Sequence, residues 1–137
     1  MSFETMANTI RSRFHTLIEV ARSLPTQYDN QEYTPPDDAM WCRLTILPGE
    51  SDQVSIGAPA SRRFRTSGVA TAQLFGPLGL GDKAMLTMAG HIVSAFRAVT
   101  VSGVTFETPS VVNRGRNTQQ NVWHINVECP FWADAFG

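Results

Sequence analysis

Residues 63–75 read RFRTSGVATAQLF. Alternation along this run puts Phe64, Thr66, Gly68, Ala70, Ala72 and Leu74 on one face. Arg65, Ser67, Val69, Thr71, Gln73 and Phe75 fall on the other. A period of two over so long a stretch predicts a long strand. Its first face is unusually small, as if a helix packs closely over it. Working outward, Met40–Leu47 reads as a strand that alternates in the same way, with Cys42, Leu44 and Ile46 on one face and Trp41, Arg43 and Thr45 on the other. Pro48-Gly49 is expected to end that strand. Residues 49–60 then read as a turn-rich connection, long for a hairpin loop, where 2–5 residues is usual.

Upstream, Phe3, Met6, Ile10, Phe14, Leu17, Ala21 and Leu24 recur at three- and four-residue steps. That spacing predicts an amphipathic helix over 3–24, with Ser2 as N-cap and Pro25 as stop. Thr26–Ala39 reads as a polar connection stiffened by Pro35-Pro36. Downstream, Gly76–Gly81 reads as a turn and Asp82 as the N-cap of a second helix to about Ala98. Its stripe is Met85, Met88, Ala89, Ile92 and Phe96. Short strands are expected at Val104–Glu107 and Val111-Val112, with a polar loop at 113–120. A last strand, 121–129, turns Trp123, Ile125, Val127 and Cys129 inward and ends at Pro130-Phe131-Trp132. The order predicts an α+β fold: a mainly antiparallel mixed β-sheet with two helices packed on one face.

At 137 residues, 1–137 reads as a single domain. Hydrophobic residues make up 42% and charged residues 17%, below the ~25% usual in soluble domains, which suggests surface covered by partners. A net charge of -1 gives no reason to expect a dedicated nucleic-acid binder. No apolar run is long enough for a membrane span. No basic segment followed by an apolar stretch opens the chain, so a cytoplasmic origin is the default expectation. Cys42 and Cys129 form no CxxC, and His15, His91 and His124 are far apart, so the spacing of a metal site is missing. Both thiols read as buried and free, and a disulfide requires neighbouring strands.

Gly76-Pro-Leu-Gly-Leu-Gly-Asp-Lys83 invites comparison with a phosphate loop. Asp82 stands where a P-loop has lysine, and Lys83 is followed by Ala84, so a turn with a helix cap is preferred. Asp37-Asp38 and the pair Glu50 and Asp52 lack a neighbouring nucleophile and read as solvated loop acids. Arg62, Arg63 and Arg65, and separately Arg114 and Arg116, form basic clusters. These fit either a solvated edge strand or contact with an acidic neighbouring subunit, for which Asp37, Asp38, Glu50 and Asp52 are the candidates. Trp132, with Phe131 and Phe136, either caps the core or docks on a partner.

The N-terminal helix, the run Tyr28–Asp37 leading into Met40–Pro48, the long polar hairpin, and Trp123 with Pro130-Phe131-Trp132 together form a layout. It resembles that of the tail terminator-like proteins of long-tailed phages and prophages. The resemblance implies a non-enzymatic virion protein, with no cofactor, metal or catalytic residue to carry over. It implies a homo-oligomeric ring, usually a hexamer, assembled in the host cytoplasm at the head-proximal end of the tail. Such a ring stops growth of the tail tube protein and meets the head–tail connector or stopper protein, with DNA only as passing cargo in the lumen and no membrane partner. The rivals are a connector or stopper ring subunit and a small nucleotide-binding enzyme domain using the 76–83 turn.

Overall fold

The computed structural model describes residues 2–119 and 121–136. Helix α1 spans Phe3–Phe14 and continues as a π-helical segment, His15–Val20. The Ser2 hydroxyl accepts the Thr5 N–H at 3.1 Å, the expected cap. Met6, Ile10, Phe14 and Ile18 are buried, each four residues from the last. Four-residue steps advance about 40° around an α-helix of 3.6 residues per turn. The wider π turn offsets that drift and keeps Ile18 over the core. The apolar stripe is therefore narrower than the sequence predicted: Phe3 is 60% exposed, and Leu17 and Ala21 also face solvent. The helical run ends at Val20, short of the expected Leu24.

Among the described residues, seven strands form one curled, mixed sheet: β1 (Thr26–Tyr28), β2 (Trp41–Gln53), β3 (Arg63–Pro77), β4 (Thr100–Val101), β5 (Val104–Phe106), β6 (Ser110–Asn117) and β7 (Val122–Phe136). The order is β1-β2-β3-β7-β5-β4, and β6 pairs with β7 beside β5. Only β1–β2 is parallel among these pairs. The centre is the β3–β7 ladder, paired without a break from Arg63↔Phe136 to Pro77↔Val122. Helix α2 (Lys83–Phe96) lies with α1 on one sheet face. There Met6, Ile10, Phe14, Ile92 and Phe96 meet Cys42, Leu44, Ala70, Ala72, Leu74, Ile125, Val127 and Phe131. The small Ala70 and Ala72 lie under the helices, as the sequence implied.

Three expected boundaries move. Strand β2 runs on through Pro48 to Gln53, with a bulge between Pro48 and Ser51. Beyond Leu44 its outer edge has no strand partner among the described residues, so a proline there removes no ladder bond. The loop is thereby cut to 54–62. Strand β7 likewise passes through Pro130. The Pro130 carbonyl accepts the Glu107 N–H at 3.0 Å, so its missing N–H faces the β5–β6 edge and leaves the β3 ladder intact. The polar stretch 113–117 belongs to β6, bulged between Asn113 and Gly115, and not to a loop. Strand β1, inside the expected connection, is too short for periodicity to show. Cys42 and Cys129 are buried and free, on strands that β3 separates. Helix α2 stops at Phe96, two residues before Ala98, and the Asp82 side chain makes no capping bond.

Gly68 is held by contact on two sides. A Cβ there would meet the Leu47 carbonyl oxygen at 2.6 Å and the Phe131 ring at 2.7 Å. Gly90, in α2, has open space around it. Gly68→Ala should therefore destabilise the fold by about 1–3 kcal/mol. Gly90→Ala should stabilise it by about 0.5–1 kcal/mol. Urea unfolding of the two variants beside the parent checks both signs.

Candidate interaction surface

The sheet face away from the helices carries the charged and aromatic groups. At the hairpin end, Asp52, Arg65 and Asp134 stand in register across β2, β3 and β7. The Arg65 guanidinium donates to both Asp134 oxygens, Nε to Oδ1 at 2.9 Å and an Nη to Oδ2 at 3.2 Å. It also lies over the Trp132 ring, 3.7 Å from its centre. Arg63 adds a contact to Asp134 at 3.4 Å. The bond from Arg65 holds the Asp134 carboxyl below its ordinary range. Arg62 lies over Phe64 and has no carboxylate partner among the described residues. The acids that meet Arg63 and Arg65 within the chain therefore do not come from Asp37, Asp38, Glu50 or Asp52. Asp134 lay beyond the expected end of the last strand, yet the alternation Trp132, Ala133, Asp134, Ala135 continues past Pro130 and is its sequence signal.

The other candidate residues fall in separate places. Glu50 and Asp52 are exposed on the hairpin. Asp37 and Asp38 are exposed at the opposite end of β3, near the 78–82 turn. Arg114 and Arg116 are exposed on β6, where Arg116 donates to Asn121 Oδ1 at 3.3 Å. Trp132 is half-buried beneath Arg65, Phe131 is buried in the core, and Phe136 is 73% exposed.

Near the turn end of the same face, Tyr33, Trp41, Phe75 and His124 stack in sequence, with ring centres 5.5, 4.5 and 4.6 Å apart. Arg43 lies over both Trp41 and Phe75. This stack explains why Trp41, on the face turned from the helices, is only 5% exposed. Burial pushes the His124 imidazole below its ordinary pKa, and the Arg114 and Arg43 charges add to the effect. On the helix side, Glu19 Oε1 accepts the Tyr28 hydroxyl at 2.5 Å and sits 2.8 Å from His15 Nδ1. Burial and this acid raise the Tyr28 pKa.

In the 76–83 motif, Gly76 and Pro77 complete β3, and Gly79 and Gly81 adopt φ of 82° and 76°, which favour glycine. A cleft of about 240 Å³ there is lined by Pro77, Gly79, Gly81, Asp82 and Trp123. A carboxylate in that lining repels a phosphate. Among the described residues, no three His, Cys, Asp or Glu side chains gather as metal ligands, and no helix is long and apolar enough to cross a membrane.

A family model described as phage tail terminator protein matches residues 5–131. The chain belongs to the phage tail terminator family. It is a structural protein of phage tails, placed in the virion tail, and it works against other tail or head proteins. A solved structure superposes on this terminator chain with a TM-score of 0.61 at 18% identity, covering 96% of each chain, a likeness in fold alone. No curated protein matches the sequence.

Two outcomes follow from this geometry. Replacing both Arg63 and Arg65 by Glu gathers three carboxylates at the end of the β3–β7 ladder. The thermal midpoint should fall, and adding Asp134→Arg should recover most of the loss. Separately, a His pKa lowered by folding gives stability that is full above the unfolded value and lost as pH falls through the folded one. The midpoint of the parent should thus drop between about pH 7 and about pH 5, and drop less in His124→Phe. Calorimetry at the two pH values measures the difference in slope.

Proposed function

We propose that this chain closes into a homo-oligomeric ring, most simply of six, on the head-proximal end of the tail tube. As one terminator domain it caps the growing tube and offers its other side to the head–tail connector or stopper. DNA passes through the lumen as cargo, and assembly takes place in the host cytoplasm. The family match across residues 5–131 is the observation that carries this reading. The fold supports it. Both helices are spent on one sheet face, while the opposite face and the hairpin end keep their charges and exposed aliphatic groups for neighbours. Identical subunits joined head to tail close into a ring when the rotation closes.

The reading is tested by making particles with and without the protein and measuring tail lengths by electron microscopy. Tails of uniform length should require the protein, and its omission should give overlong tubes without heads. Tubes of normal length that only fail to join heads would instead assign the connector or stopper role. A stable monomer that binds a nucleotide would favour the enzyme reading, which the Asp82 carboxylate argues against.

A further inference from the structure

The two ends of β3 are complementary. At one end, the hairpin carries Ile56, which is fully exposed, together with the exposed Val54 and Leu47. An aliphatic side chain wholly in water at the tip of a projecting loop contributes nothing to its own fold. At the other end, two clefts of about 240 and 250 Å³ share Pro77 and Gly81. The second is lined by Met40, Leu80, Ala84 and Met85 with the Asp38 carboxylate. Leu80 is 78% exposed on its rim. The charges match as well. Arg62, unpaired with any carboxylate among the described residues, and Arg63, half-exposed, flank the hairpin. Asp38 and Asp82 flank the clefts.

We infer that the hairpin tip of one copy docks through Ile56 into the apolar notch formed by Met40, Pro77, Leu80 and Met85 of the next copy. Arg62 and Arg63 face Asp38 and Asp82 across that contact. The inference rests on the ring reading and names its interface. Donor and acceptor lie at opposite ends of one strand, so the contact is heterologous: each copy gives a tip and receives one. Repeated in one sense from copy to copy, such a contact closes a ring or grows a filament, whereas two copies that exchanged tips would stop at a closed pair. The hairpin would then be ordered by its neighbour, which accounts for apolar groups that its own chain leaves uncovered.

Cysteine pairs test the contact directly, because Cys42 and Cys129 are buried and the tested positions are exposed. Ile56→Cys and Leu80→Cys proteins are mixed, oxidised and run without reductant. A cross-linked heterodimer should form on mixing, and the double variant should give a ladder that stops at a closed species. Ile56→Cys mixed with Val20→Cys, on the exposed side of the first helical run, is the control and should cross-link at least tenfold less. Ile56→Asp should lower the assembled fraction about tenfold with an unchanged circular dichroism spectrum. Microscopy of the unmodified protein on tube ends separates the two levels. Rings without the Ile56–Leu80 cross-link would overturn the contact and leave the ring standing. Absence of both would overturn both. Cross-linking of Ile56→Cys to the tube protein in preference to a second copy would also overturn the contact, giving the hairpin to the tube.

Discussion

The β3–β7 ladder is the constraint on which the rest of the structure depends. It pairs Arg63–Pro77 with Val122–Phe136 along their whole length, joining a hairpin in the middle of the chain to its last strand. Strand β2 adds to one side of it, and β5 and β6 divide the other edge. Because the side-chain period is two, this one register decides both faces at once. It turns Ala70, Ala72, Leu74, Ile125, Val127 and Cys129 toward the helices. It leaves Arg65, Trp132 and Asp134 together on the opposite face. A slip by one residue would bury the charges and expose the core.

That division of faces suits a protein of the phage tail. One face is consumed by α1 and α2, which make the core. The other keeps a local scaffold of its own, the Tyr33–Trp41–Phe75–His124 stack at one end and the Arg65–Trp132–Asp134 group at the other. These groups stiffen the sheet without a third layer. They leave the hairpin tip and the 77–82 notch, at the two poles of β3, free for neighbouring molecules. Gly68, pressed between the Leu47 carbonyl and the Phe131 ring, allows the strands and that aromatic to close up near the hairpin.

Much of this was legible in the residues. The long alternation over 63–75, the two amphipathic stretches and the alternation after residue 121 give the α+β layer order and the inward set. The differences share a cause: in a sequence, proline and polarity signal the ends of strands. Pro48 sits where β2 has no outer strand partner among the described residues, and Pro130 sits in the gap between β6 and β5. Neither removes a bond from β3, a fact that depends on tertiary neighbours. The polar residues of β6 pair as well as apolar ones because an edge strand can face water. Asp134 escapes the sequence for the same reason, lying past the strand end that Pro130 signals. The separation of Asp37 and Asp38 from Arg63 and Arg65 belongs to topology, which local spacing does not encode.

Native-state hydrogen exchange on the isolated chain examines the dominance of the ladder most directly. If β3–β7 carries the fold, the amides of Ala70–Leu74 and Ile125–Cys129 exchange only through global unfolding. Those of Ser51–Arg65 then exchange faster, through local opening, and slow on assembly. Equal protection from the hairpin tip to the centre of the ladder in the isolated chain, or faster exchange at the centre than in β1 and β4, would contradict it.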